Sequence, residues 1–246
     1  MYKEERITLK VKWYNHNYLT QSFLYKSLYK AKKYARGKLL DVGCGQKPYE
    51  NFFSDSISEY IGIDLPQSVS ANKLPKRADI YYDINKGLPF ESDSFDTVLC
   101  TEVLEHVQEP SYLIKEINRV LKKGGYLILS APQCWGLHEE PCDYYRYTKY
   151  GLKYLVEKNG FELKSLEERG GLWVMVGQRM CSFIHYNYVD GRNIFMKLFF
   201  KMIYILLSQI CLFLDRVYKH KGDTLGITII SMKRKEVIDE YIKNSV

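Results

Sequence analysis

The chain has 246 residues, 46% of them hydrophobic, enough for one sizeable core with an appendage. Charged residues make up 26%, which excludes wholesale disorder. The six cysteines (Cys44, Cys100, Cys134, Cys142, Cys181, Cys211) are scattered without a C-x-x-C pair, which argues against a disulfide scaffold and a zinc site.

A reduced, cytosolic protein fits that usage, and "MYKEERITLK" lacks the apolar core of a signal peptide. The formal charge is +7, with lysines crowding the first 38 residues and flanking a late apolar segment. Such a balance suits nucleic acid or an anionic membrane surface, and a merely solvated face gives the same letters. Tyrosines interleave the basic residues of 25–36, but helical spacing explains them more simply than RNA binding, so no nucleic-acid partner is expected.

Residues 18–36 carry Leu19, Phe23, Leu24 and Leu28 at helical spacing, predicting a leading amphipathic helix, residues 1–36 forming a helical N-terminal segment. Strands and helices then alternate. "KLLDVG" reads as the first strand, and "PYENFFSDS" as a helix with Pro48 in its first turn. "EYIGIDL", "ADIYYDI" and "FDTVLCT" read as strands two to four. A helix follows from about Tyr112 to Lys122, ended by Gly124-Gly125. "YLILSAP" is strand five. "TKYGLKYLVEKNG" is a helix with Thr148 as N-cap and Gly160 just past its end. "FELKSLEE" is strand six, and "GITIISMK", some sixty residues on, is the last. This alternation predicts an α/β fold: a mostly parallel sheet with helices on both faces, over 37–169 and 225–246.

Residues 170–224 break the rhythm as a helical, apolar insertion. Within "IFMKLFFKMIYILLSQICLFL", residues 194–214, Lys197 and Lys201 leave 13 uncharged residues from Met202 to Leu214. That is about 20 Å of helix, short of the ~30 Å a membrane core requires. The expected reading is a buried helix of a cap over the acceptor site or of a homodimer interface. An interfacial helix peripheral to the inner face of a membrane is the alternative, helped by Arg192, Arg216, Lys219 and Lys221.

The most specific stretch is "LLDVGCGQKPYE", residues 39–50. An apolar run stops on Asp41, and Gly43, Cys44 and Gly45 form a turn where backbone can approach a ligand closely. A dinucleotide fingerprint wants G-x-G-x-x-G/A, and its sixth position here is Pro48. A carboxylate aimed into the crevice suits a cation better than a pyrophosphate. Asp64 ends strand two, about 20 residues on, where an acid accepts from ribose hydroxyls; a turn or N-cap gives the same residue. Asp83 ends strand three, where an acid can receive an adenine amino group. Three acids closing three successive strands indicate a nucleoside site with a positive charge to balance.

With these residues the chain resembles the class I S-adenosylmethionine-dependent methyltransferases, in the small-molecule branch called type 11. The resemblance covers about 38–168 and 225–233, and rests on "LLDVGCG", "YIGIDL", "LPFESDSFDTVLCTEVLEHV" and "EINRVLKKGGYLILSAP". It implies a Rossmann-like sheet with an antiparallel last strand, and S-adenosylmethionine as cofactor, released as S-adenosylhomocysteine. It also implies that Gly43, Cys44 and Gly45 shape the methionine-side turn, with Asp41 near the cofactor amino group. Asp64 and Leu65 would meet the ribose, and Asp83 and Ile84 the adenine. Thr101, Glu102 and His106 would lie beside the sulfonium end. Lys47 departs from the family pattern by holding the place of a third glycine.

Methyl transfer is a direct displacement that needs alignment and dryness more than a fixed catalytic motif. The local candidate for the acceptor wall is "HEEPCDYYRYTKYG", residues 138–151, after strand five. His138 is the expected base, Tyr145 a ring support and Arg146 a partner for an acidic group. The plainer reading is a lid loop whose Asp143–Arg146 pair and tyrosines only secure its shape. The stretch also resembles an H-x-x-P-x-D-x-x-R-x-T pattern of bacterial methyltransferases associated with cell-surface polysaccharides. The expected function is therefore methyl transfer to a small-molecule, lipid-linked or glycan acceptor at oxygen. No metal is expected, because no histidines and carboxylates cluster along the sequence. The rivals are a non-catalytic scaffold binding the cofactor or a membrane, and an NAD-dependent oxidoreductase.

Overall fold

A computed structural model describes residues 12–66, 77–189, 193–218 and 222–234. Part of the basic flank expected around the late helix, Arg192, Lys219 and Lys221, lies outside the described residues. The chain divides into two compact units.

The larger unit, the described residues of 31–132, 136–167 and 227–234, holds the sheet. Its strands are β1 (Lys38–Val42), β2 (Glu59–Asp64), β3 (Ile80–Tyr81), β4 (Phe95–Thr101), β5 (Leu121–Pro132), β6 (Phe161–Glu168) and β7 (Gly226–Lys233). They form one seven-stranded sheet in the order β3-β2-β1-β4-β5-β7-β6, mostly parallel with one antiparallel strand, as expected. β1 lies between β2 and β4, with Asp41 opposite Gly62 on one side and Leu99 on the other. The chain runs outward from β1 to β3 and restarts at β4 on the other side of β1. Ligands of open α/β sheets bind at such a reversal, outside the carboxyl ends of the strands.

The helices are placed by their apolar faces. α3 (Pro110–Val120) opens on Pro110 and buries Leu113, Ile114, Ile117 and Val120 at helical spacing. α4 (Lys149–Lys158) starts as expected, with the Thr148 hydroxyl accepting from Gly151 N–H. Gly160 follows with φ +86°.

Three boundaries differ from the sequence reading. The helix expected from Pro48 is only α2 (Glu50–Phe53), because Lys47 sits at φ +54° and the chain is still turning through Pro48. Strand three is two residues long, because Asp83 turns away to cap a tight turn at Ile84–Lys86. Gly124-Gly125 does not end α3. The helix stops at Val120, and the glycines form a bulge inside β5, where Phe95 pairs with Leu121 but Thr97 with Tyr126. Gly124 has φ +75° there, a conformation glycine adopts without a Cβ penalty.

The smaller unit gathers 133–135, 168–226 and the described part of 1–30. The leading helix and the insertion therefore share one unit, rather than standing as separate segments. It holds α1 (Tyr18–Ala31), α5 (Leu172–Ile184) and α6 (Ile194–Val217). The side-chain amide of buried Gln178 on α5 accepts from Thr20 N–H at 3.0 Å and donates to His16 O at 2.9 Å. Asp215 of α6 caps α5 by accepting from Gly171 N–H at 3.2 Å. Gly177 lies so close to α6 that a Cβ there would meet Cys211 Sγ at 2.7 Å.

α6 corrects the estimate of 13 residues. Lys197 and Lys201 do not interrupt it, and it runs 24 residues, about 36 Å. By length and composition it could cross a membrane. One face, Tyr204, Ser208 and Cys211, is buried, and Cys181 Sγ of α5 lies 3.7 Å from Ser208 Oγ. The opposite face exposes Phe195, Phe199, Met202, Leu206, Phe213 and Val217.

Candidate functional site

The site lies at the carboxyl edge of β1, β2 and β4. Asp41 is 1% exposed. The Tyr60 hydroxyl donates to its Oδ2, while Oδ1 has no hydrogen-bond partner. Burial lifts this carboxyl to about 7, aided by Asp64 and opposed by the Tyr60 hydroxyl and Lys47. A buried carboxylate with an unpaired oxygen is a charge that a cation would balance.

Directly after it the turn is set by two glycines. Gly43 has φ +71°, and a Cβ there would meet Val103 Cγ2 at 2.3 Å. Gly45 has φ +53°, and a Cβ there would meet nothing within 4 Å, so this glycine faces open space. The N–H groups of Gly43 and Cys44 donate to Ile63 O. Cys44 is buried, and burial with the Asp41 and Asp64 carboxylates pushes its thiol up to about 12, so it stays protonated and inert. Cys100 is likewise buried, its thiol raised by burial first and by Glu105 next.

Asp64 has backbone partners of its own. Its Oδ2 accepts Gly45 N–H at 2.7 Å and its Oδ1 accepts Leu65 N–H at 2.7 Å. It therefore ties the glycine turn to the end of β2. Asp83 caps the Ile84–Lys86 turn by accepting Asn85 N–H at 3.1 Å, and Ile84 is buried in the sheet core. Both act as turn and packing residues that shape this corner.

Lys47 explains the departure from the family pattern. It adopts the left-handed backbone that favours glycine, yet its buried side chain pairs with Asp79, and its ammonium lies 5.7 Å from the Tyr60 ring centroid. Asp79 in turn accepts Gly62 N–H at 2.7 Å. The sequence reading marks Lys47 only as the residue in the place of a third glycine, and gives no sign of Tyr60 or Asp79 as its neighbours.

At the end of β4, Thr101 pairs with Ser130 of β5. Glu102 has φ +54°, and its Oε1 accepts the Ser130 hydroxyl at 2.6 Å. Non-glycine residues in this region are costly and concentrate at functional sites. A short turn, Leu104–His106, follows.

The loop after β5 folds back onto that turn. Tyr144 and Tyr145 N–H donate to Glu105 O, and the buried Tyr147 hydroxyl donates to Leu104 O at 3.1 Å. His138 Nε2 lies 3.1 Å from His106 Nε2. The structure thus unites His106 and His138, 32 residues apart, beside the buried acid Glu105. Sequence order conceals this cluster, because His138 lies 32 residues from His106 and nothing local marks Glu105 as its partner. Arg146 is forked onto Asp143 by two bonds of 2.7 Å and also donates to Gly136 O. Arg146 holds Asp143 well down, at about 2, and the pair secures the loop. The Tyr145 hydroxyl donates to Gln108 O at 2.9 Å, which leaves its ring, 40% exposed, as the surface it offers.

A mostly parallel sheet with this strand order, a glycine turn beside a buried carboxylate and an acid closing the next strand define the class I methyltransferase fold. Residues 40–129 match the type 11 model, described as a methyltransferase domain, and this part of the chain is a class I S-adenosylmethionine-dependent methyltransferase domain of that type. Among relatives, a Mycobacterium leprae protein described as an uncharacterized methyltransferase is 33% identical over 135 residues, 52% of this chain and 50% of its own. The ubiquinone biosynthesis O-methyltransferase of Xanthomonas oryzae pv. oryzae is 33% identical over 103 residues, 39% of this chain and 43% of its own. The chain thus spans about half the length of the curated relatives it matches. A solved S-adenosylmethionine-dependent methyltransferase from Archaeoglobus fulgidus superposes with a TM-score of 0.52 at 16% identity, over 87% of this chain and 94% of its own. At that identity the likeness is one of fold.

Proposed function

We propose that this protein transfers the methyl group of S-adenosylmethionine to an oxygen of a small or lipid-linked acceptor. The observation that carries the cofactor reading is the buried, unpaired Asp41 oxygen beside the Gly45 turn, which faces open space. The methionyl ammonium of the cofactor fits that seat, and Gly45 leaves room for its chain. The acid-lined edge, with Asp41, Asp64, Asp83 and Glu102, repels a pyrophosphate, which weighs against the NAD reading. The cofactor supplies an electrophilic methyl on a sulfonium. The residues here bind its ammonium, shape its path and hold the acceptor in line.

Oxygen is favoured by the imidazoles of His106 and His138, which suit the removal of a hydroxyl proton. The lipid-linked class is supported by α6. Its outward face is aromatic and aliphatic, and between residues 172 and 222 the sequence carries seven Lys and Arg against two acids, Asp190 and Asp215. Asp215 is already engaged in capping α5. Such a helix suits the surface of an anionic membrane.

Incubation with methyl-labelled cofactor and vesicles carrying a bacterial lipid extract tests the reading. Label in an alkali-stable lipid product is expected. Label only in water-soluble products would remove the lipid-linked class, and no transfer at all with intact cofactor binding would favour a scaffold. Flotation with anionic vesicles, weaker at high salt, is expected for α6. Failure to float together with a dimeric mass would assign its face to a second copy.

A further inference from the structure

Three side chains meet where the loop after β5 folds onto the turn after β4. The Glu105 carboxylate and the His106 and His138 imidazoles offer ligand atoms that all lie within 4.8 Å of one another. Glu105 is 1% exposed, and Oε1 stands 3.9 Å from His106 Nε2.

The hydrogen bonds of the two imidazoles fix their tautomers. His106 Nδ1 lies 2.7 Å from Cys142 O, and a carbonyl only accepts, so Nδ1 carries the hydrogen. His138 Nδ1 lies 3.2 Å from Gly136 O and 3.3 Å from Asp143 Oδ2, both acceptors, so it too carries the hydrogen. Each neutral ring therefore presents its lone pair at Nε2, and these two nitrogens face each other at 3.1 Å. Two lone pairs at that distance repel unless a cation lies between or beside them.

We propose that Glu105, His106 and His138 bind a divalent first-row transition ion, of the zinc or cobalt kind. Bonds of about 2.1 Å to two nitrogens 3.1 Å apart subtend roughly 95°, within reach of tetrahedral or five-coordinate geometry. Two histidines and a glutamate form a donor set that leaves a position open, as catalytic zinc sites do. The outer shell is already in place. Metal-bound histidines donate their other N–H to a carbonyl or carboxylate, as His106 does to Cys142 and His138 to Gly136 and Asp143. Arg146, forked onto Asp143, holds that carboxylate still. This gives the Asp143–Arg146 pair a use beyond loop shape: it aims His138 Nε2.

The ion's open position is suited to a hydroxyl oxygen of the acceptor, which the ion would acidify in place of the imidazoles whose Nε2 atoms it occupies; this role rests on the oxygen reading above. The binding site itself does not. Chelator-treated protein, without S-adenosylmethionine or acceptor, is titrated with Co2+ and followed by visible absorption and calorimetry. One Co2+ per chain with new absorption bands is expected. H106Q and H138Q should each weaken binding at least tenfold, and E105Q several-fold. H185Q, whose imidazole lies beside His16 in the smaller unit, should leave it unchanged. Thermal melting establishes that each variant is folded. Absence of stoichiometric Co2+ binding, or binding equally tight in folded H106Q and H138Q, would overturn the site and leave a proton shared between the two imidazoles. Co2+ binding through these residues in a protein that fails to bind S-adenosylhomocysteine would keep the metal site and remove the cofactor reading.

Discussion

Asp64, the last residue of β2, accepts the Gly45 N–H at 2.7 Å and so pins the glycine turn of β1 to the neighbouring strand. The bond is charge-assisted and lies in a buried setting, where such a bond contributes about 1.5–3 kcal/mol. D64A should therefore weaken S-adenosylhomocysteine binding by about 10- to 100-fold, through a loosened turn as well as a lost ribose acceptor. D64N, whose amide oxygen can still accept from Gly45, should lose less. Calorimetry of the two variants checks the order, and equal affinity in wild type and D64A would remove Asp64 from the site.

Asp41 should make cofactor binding depend on pH. Burial raises its folded-state carboxyl to about 7, against about 3.9 in an unfolded chain. The folded protein therefore keeps a proton that the unfolded chain has released. The stability this supplies is complete below about pH 4 and is lost as pH rises through 7. An ammonium pairs with the ionised form, so binding should expel a proton and tighten with rising pH. Affinity should fall by up to about tenfold for each pH unit below 7, and D41N should flatten the profile. A flat wild-type profile in calorimetry would contradict the ammonium seat.

The sequence carried the sheet further than it carried the site. β1, β2 and β4 are legible because buried strands read as short apolar runs bounded by turn residues. The β5 bulge is not, because a glycine pair after a helix reads as its end until strand pairing is known. Asp41 and the glycine turn lie within one short motif and were found together. His138 and Arg146 read as a set in the sequence, but their partners decide their roles: His138 meets His106 on the turn after β4, and Arg146 meets Asp143 and Gly136 on its own loop. Glu105 became visible only when the loop folded back onto it. On α6 the lysines at 197 and 201 read as interruptions, yet one helical turn apart they leave the backbone continuous.

Lys47 holds a left-handed backbone at φ +54° and a buried ion pair with Asp79. K47A loses the pair and keeps the strain. K47G loses the pair and relieves the strain, a difference of about 1 kcal/mol in favour of glycine. Urea unfolding should rank wild type above K47G and K47G above K47A. K47A as stable as wild type would mean that the pair with Asp79 contributes nothing.

Gly177 has no room for a side chain where α5 meets α6. G177A should destabilise the smaller unit by about 1–3 kcal/mol, because Cys211 Sγ and Cβ would both be displaced. Thermal melting of G177A beside G177A/C211G reads this directly, with the second variant recovering part of the loss.

The most direct test of the account is calorimetric titration of the purified protein with S-adenosylmethionine, S-adenosylhomocysteine and NAD in parallel. Micromolar binding of the first two and none of NAD is expected. Binding of NAD alone, or of none of the three to folded protein, would contradict it, because Asp41 and the Gly43–Gly45 turn would then hold no sulfonium nucleoside.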